Sequence, residues 1–391
     1  MRLLVCWVSV FFFVARFFAP LSAGEPEFSG EIVIGATFPR TGWLEDYGLS
    51  AYYGANTAAK MVNEAGGING KRLVLEWRDN QSNPLLADAQ IRELVEKHHV
   101  PAILGPLMSD STLRVQPTAR ELEVVVMSPM STVEELAEED PWVFRAFFGN
   151  AAEAEALARF QSDKYGAATC VILYDSRHAV SRELADIMRE KMSDMGGSCL
   201  GVASIIDRQG RKDYYTAMNF VAELAPDFVF APVHAVEATE LLQTAKTLGI
   251  TTRFCGSHTW DNQIVFEGTG VRLSGTSFAS ALFEQAFSRS FRVFYNAMEQ
   301  AGMDTPDASA VCGYDAVMLL AQALKNGETP EEIRQGLLQI NNLMLATGRI
   351  SITNEGGAIK SVLVRVVERI GYRMEPVYAE RYDSPHPAAQ R

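Results

Sequence analysis

The feature that most limits what this chain can become is an alternation that starts at residue 31. Short apolar, β-branched runs are followed, again and again, by segments whose apolar residues recur at helical spacing. Residues 31–37 (EIVIGAT) read as a strand, a Gly-rich loop follows, and 51–64 read as a helix. The run Ala65-Gly66-Gly67-Ile68-Asn69-Gly70 stops that helix, since glycine accepts the left-handed geometry of a C-terminal cap. A strand at 72–77, a helix at 87–97, a strand at 101–104, a helix at 113–121 and a strand at 124–128 continue the pattern. Strands separated by single helices cannot pair as hairpins, so the pattern predicts a parallel sheet covered on both faces.

The same grammar restarts after Arg145: helix 151–165, strand 170–174, helix 182–195, then strands at 200–206, 228–231 and 254–256. Later helical patterns at 283–302 and 312–325, and strands at 360–367 and 372–379, must complete one unit or both. A chain of 391 residues exceeds what one ordinary core supports. The predicted fold is therefore α/β, with two doubly wound parallel-sheet lobes.

The N-terminus has the layout of an export leader. Arg2 supplies the positive start, 3–13 are almost wholly apolar, and Leu21-Ser22-Ala23 ends in a small residue suited to cleavage after Ala23. Arg16 interrupts the apolar run too early for it to span roughly 30 Å of hydrocarbon. No cysteine stands at the cleavage point to take a lipid, so the mature chain is expected free in the periplasm, as a monomer. Losing Arg2 and Arg16 takes the formal charge from −13 to −15. So acidic a surface argues against nucleic acid or an anionic membrane as partner. Cys170, Cys199, Cys255 and Cys312 remain in a compartment that permits disulfides. Their spacing fits no metal site; buried thiols and one disulfide, between Cys170 and Cys199, both stay open.

Enzyme signatures are missing: no Gly-x-Ser-x-Gly elbow, no Walker loop, no Gly-x-Gly-x-x-Gly after a strand, no His-Glu-x-x-His. His98-His99 ends a helix, where a cation suits the dipole, and is read as solvated. No catalytic residue, metal or cofactor is expected. What the pattern offers instead is a crevice beyond the carboxyl ends of the strands, where helix N-termini suit an anion. Ser109 lies between a strand and a helix, and Ser131 and Thr132 lie between strand 124–128 and Glu134-Glu135. Ser131-x-x-Glu134 and Thr132-x-x-Glu135 also fit capping boxes, which need no ligand.

Several motifs occur in one order. They are Pro39-Arg40-Thr41-Gly42, Tyr47-Gly48, Gly54-Ala55, 63–70 (NEAGGING), Asp79-Asn80 with Asn83-Pro84, 105–109 (GPLMS), Ser128-Pro129, Tyr174-Asp175 and Asp213-Tyr214. This set resembles the Leu/Ile/Val-binding-protein family, the type I solute receptors of ATP-driven importers. The resemblance covers nearly the whole mature chain. It implies two lobes joined by three crossings: 24–146 with 279–359, and 147–278 with 360–391. It implies carboxylate contacts at Ser109 and Thr132, backbone contacts near Met130 and Ser131, and an aromatic ligand contact at Tyr47. In the second lobe the alignment places contacts at His234, at His258 where an acid would pair with an α-ammonium, and at Asp261 three residues on. Aromatic positions expected after Asp175 and after Ala231 are absent, and two cysteines that some members pair are here Ser82 and Met108. The implied ligand is an amino acid or a related carboxylate or amide, and the implied partner an ABC permease in the inner membrane. A ligand sensor of the same fold, answering amide- or urea-type ligands, is the alternative.

Overall fold

The computed structural model describes residues 26–383 apart from 138, 140, 267–274, 282–287, 304 and 371–372. The proposed leader, 1–23, and the expected new terminus at Gly24 lie outside the described residues.

The first lobe is built on strands β1 (Glu31–Phe38), β2 (Arg72–Asp79), β3 (Ala102–Leu104), β4 (Val125–Ser128) and β5 (Val143–Arg145), separated by helices α1 (Glu45–Glu64), α2 (Pro84–His98) and α3 (Ser109–Glu121). The strands are parallel in the order β2-β1-β3-β4-β5. β3 and β4 are buried on both faces, which is why they read as unbroken apolar runs.

The chain then enters the second lobe through α4 (Asn150–Tyr165), β6 (Thr169–Tyr174), α5 (Ala179–Asp194), β7 (Ser198–Ser204), α6 (Tyr214–Leu224), β8 (Phe228–Ala231), α7 (Ala235–Thr247), β9 (Arg253–Gly256), α8 (Gln263–Phe266) and β10 (Ser277–Ser280). It returns to the first lobe with α9 (Arg289–Gln300), α10 (Ala308–Leu324) and α11 (Pro330–Leu338), plus a small sheet of β11 (Leu343–Leu345), β12 (Gly348–Ile352) and β13 (Ala358–Ile359). A third passage brings β14 (Val362–Ile370) and β15 (Arg373–Tyr382) back to the second sheet, whose order is β15-β14-β10-β9-β8-β6-β7. That sheet is parallel from β7 to β10 and antiparallel at the closing hairpin. β10 thus belongs wholly to the second sheet, whereas the sequence boundary at 278/279 divides it.

Phe228 and Phe230 in the second lobe, and Ile34 and Phe38 in the first, are fully buried. Each such side chain contributes about 1.5–3 kcal/mol of burial free energy. Cys170 and Cys199 are register partners on β6 and β7, and all four described cysteines are free thiols. Among the described residues no helix is long and apolar enough to cross a membrane, and no cluster of His, Cys, Asp and Glu could hold a metal ion.

Candidate functional site

Strand order reverses between β1 and β3 in one lobe and between β6 and β8 in the other. Loops leaving neighbouring strands diverge there, which opens a crevice at the carboxyl ends of each sheet. A cavity of about 340 Å³ lies where these two crevices meet. Two larger hollows, of about 470 and 590 Å³, lie elsewhere, beside the start of β9 and along edge strand β2.

The first lobe brings an uncapped helix start and two hydroxyls to the cavity. α3 starts at Ser109 without any side-chain cap on its first turn, so its N–H groups and positive dipole end stay available to a ligand. The Ser109 hydroxyl accepts the N–H of Thr132 at 3.0 Å. The Thr132 hydroxyl, fully buried beside it, has no protein partner. A buried hydroxyl without a partner is costly, which makes this one a candidate ligand contact. Neither capping box forms: the turn at Glu134–Leu136 is a 3₁₀ segment capped by Val133 without a side-chain bond. Instead the Glu134 carboxylate binds Arg145 at 2.8 Å and the N–H of Ala151 at 3.0 Å. Ser131 turns inward to Thr112 at 2.8 Å and Ser128 at 2.6 Å, which leaves only its backbone for a ligand. Met130 lines the cavity.

Tyr47 sits in the first turn of α1, not in a loop. Its hydroxyl donates to the carbonyl of Thr259 at 2.8 Å and accepts the N–H of Ala235 at 3.1 Å. It therefore ties the two lobes together behind the cavity, its ring edge-on to His234. Burial pushes its phenol pKa up, so it stays protonated.

The second lobe contributes Arg177 and His178 after β6, His234 after β8, and His258 and Thr259 after β9. His178 Nδ1 meets Asp110 Oδ2 at 2.9 Å, and the N–H of Ala179, the first residue of α5, donates to Asp110 Oδ1 at 3.0 Å. Burial raises the Asp110 pKa, but these hydrogen bonds outweigh it and hold the carboxyl below its ordinary range. Arg177 grips Asp175 through Nε at 3.0 Å and Nη2 at 2.7 Å. Buried Glu153 receives the His258 N–H at 2.7 Å and faces its Nδ1 at 2.8 Å, which turns Nε2 away from that carboxylate. His234 packs 5.0 Å from the half-exposed Trp43 and 5.2 Å from His178. Burial first, and His178 second, push the His234 pKa down to about 3, so it is neutral.

Of the residues singled out from the sequence, Ser109, Met130, His234 and His258 line the cavity. Thr132 abuts Ser109, while Tyr47 and Ser131 stand behind the lining. Asp261 is not at the cavity wall: it is ion-paired with Arg365 at 3.1 Å and takes the Ser280 hydroxyl. Ser82 and Met108, which replace the paired cysteines of some relatives, both line the cavity. Trp43, Asp110 and His178 were missed; Asp110 follows Ser109 directly, and only the sheet geometry brings His178 to it.

A family model described as Periplasmic binding protein matches residues 31–368. The Leu-, Ile-, Val-, Thr- and Ala-binding protein of Pseudomonas aeruginosa is 24% identical over 352 residues, 88% of this chain and 92% of that protein. Among solved structures, a leucine-binding protein from Thermotoga maritima superimposes with a TM-score of 0.82 at 24% identity, covering 92% of this chain and 99% of that one. A solute-binding protein of an ABC transporter from Rhodopseudomonas palustris, in complex with 3,4-dihydroxybenzoic acid, gives 0.80 at 17% identity, with 93% and 99% covered.

Proposed function

Since this chain belongs to the periplasmic binding protein family, in its Leu/Ile/Val-binding branch, we propose that it is the solute receptor of an ABC importer. It closes two lobes over a small organic acid of amino-acid size and presents the closed form to a permease in the inner membrane. The observation that carries this reading is the unpartnered Thr132 hydroxyl beside Ser109 at the uncapped start of α3. That trio matches a carboxylate, and the ligands named for the relatives above share that group. Capture makes and breaks no covalent bond. Contacts across the cleft support a reading by hinge closure: Tyr47 to Thr259 and Ala235, and Asp110 to His178 and Ala179. Closing excludes water and strengthens every polar contact inside.

Native mass spectrometry of protein purified without unfolding should reveal an adduct with the mass of a small acid. The same acid, added back, should raise Tm. A screen of organic and amino acids that yields neither adduct nor shift removes the proposal. Export completes the reading: N-terminal sequencing of the periplasmic protein should begin at Gly24.

A further inference from the structure

Two sulfur nucleophiles lie side by side, away from the cleft. Cys170 is the second residue of β6 and Cys199 the second of β7, the outermost strand of its sheet. The two are direct register partners in a parallel ladder. Neighbouring strands run about 4.8 Å apart, inside the roughly 4.4–6.8 Å between Cα atoms that a disulfide bridges. The pairing skips Leu200 beside them, a bulge of the kind that re-aims side chains. The sulfurs face each other, and the Cys170 thiol donates a hydrogen bond to Cys199 Sγ.

That hydrogen bond gives the two sulfurs different chemistry. Together with burial it pushes the Cys170 pKa up, and it brings the Cys199 pKa down to about 7 against the effect of burial. Cys170 is fully buried, whereas Cys199 is half-buried at the sheet edge. A thiolate that a reagent can reach is the attacking group in thiol–disulfide exchange, and a neighbouring thiol resolves the mixed disulfide. Cys255 and Cys312 are placed differently. Both are buried, and burial pushes both thiol pKa values up. The register partners of Cys255 are Phe230 and Ser277.

We propose that Cys170 and Cys199 form a dithiol–disulfide site that a small disulfide of the glutathione type oxidises. The Cys199 thiolate attacks one sulfur of glutathione disulfide and breaks its S–S bond, and the released glutathione thiolate takes up a proton. Cys170 then gives its proton to solvent and attacks Cys199 Sγ. The mixed disulfide breaks, and the second glutathione leaves. Two protein thiols and one glutathione disulfide thus become one protein disulfide and two glutathione thiols. In an oxidising compartment such as the periplasm such a bond persists. It ties edge strand β7 to β6 and closes a loop that contains α5, which restricts the unfolded chain. Both cysteines stand at the amino ends of their strands, whereas the cleft lies at the carboxyl ends, so the bond forms without reaching the solute cavity.

Peptide mapping of the mature chain tests this. The protein is reduced, freed of reductant, and incubated folded with glutathione disulfide; it is then quenched with acid, unfolded and alkylated. Cys170 and Cys199 are expected in one cross-linked peptide pair that reduction separates, with Cys255 and Cys312 alkylated and Tm above that of the reduced protein. Cys170→Ser should retain glutathione on Cys199, and Cys199→Ser should leave every remaining thiol alkylated. Alkylation of all four cysteines in the wild type overturns the proposal. So does glutathione held on Cys199 without the cross-link, or a bond to Cys255 or Cys312. The wild-type map decides between these outcomes whether or not either variant folds.

Discussion

Ser109 and Thr132 belong to the same proposed carboxylate site but differ in what else they hold. The Ser109 hydroxyl satisfies the buried N–H of Thr132, whereas the Thr132 hydroxyl makes no bond within the protein. Removing a group that faces a buried ligand charge costs about 1.5–3 kcal/mol. Thr132→Ala should therefore weaken ligand binding roughly ten- to a hundredfold while leaving the Tm of the unliganded protein nearly unchanged. Ser109→Ala should weaken binding and also lower that Tm, because it strands the Thr132 N–H. Calorimetry paired with thermal melts separates the two; unaltered affinity in both variants removes the carboxylate assignment. His234 supplies a second test at this scale. The folded protein refuses this residue a proton that the unfolded chain accepts below about pH 6.5. Between there and about pH 3 the unfolded state binds more protons, so the site's contribution to stability falls as pH falls. The slope is at most about 1.4 kcal/mol per pH unit. Urea unfolding of wild type and His234→Gln at pH 7, 5.5 and 4.5 should give curves that diverge at pH 7 and converge or cross on acidification. Parallel curves would mean that His234 titrates normally.

Between elements, the closest approach in the first lobe is that of α1 to α10. A Cβ on Gly54 would lie 1.9 Å from the Ala310 carbonyl oxygen, and one on Gly313 would lie 2.2 Å from that of Ala51. Backbone cannot yield locally at such distances, so the helices must move apart. Gly54→Ala is expected to cost about 1–3 kcal/mol by overpacking, measurable as a lower urea midpoint with an unchanged slope. A stability equal to wild type would show that the contact is looser than this. A separate close approach, to the loop after β1, accounts for α1 being legible only from residue 51. Tyr47-Gly48 reads as a loop, yet Gly48 lies inside the helix, where a Cβ would meet the Pro39 carbonyl oxygen at 1.9 Å. The central strands were readable because they are buried and apolar throughout; β5 and β10, three and four residues long, are too short to show a period. α11 carried a signal that went unread: Thr329 and Glu332 form a true capping box with Pro330 at the first helical position. At the site, Ser109 and Thr132 were visible because a hydroxyl between strand and helix has a local meaning. The commitment of Asp261 was not, since its partner Arg365 is 104 residues away.

At the scale of the whole molecule, the proposed closure turns on how strongly the lobes hold each other without help from a ligand. One contact across the cleft lies outside the cavity: the N–H of Glu134 in the first lobe donates to both carboxylate oxygens of Glu183 on α5, at 3.1 Å each. Asn150, at the start of α4, braces the same carboxylate. Burial pushes the Glu183 pKa up, and the Glu134 and Asn150 hydrogen bonds only partly offset that rise. If this contact forms only when the lobes meet, removing it destabilises the closed state alone. A receptor whose binding-competent form is populated less often shows an apparent Kd raised by the same factor, whichever ligand is used. A lost charge-assisted hydrogen bond of about 1.5 kcal/mol corresponds to roughly tenfold. Glu183→Ala should thus weaken every ligand by about the same factor, without changing their rank order. It should also shift small-angle scattering of the unliganded protein towards a larger radius of gyration. Thr132→Ala, in contrast, should discriminate among ligands by their acid group and leave the scattering unchanged. A Glu183→Ala protein that binds as tightly as wild type, or loses affinity for one ligand only, would show that Glu183 braces one lobe and takes no part in closing the cleft.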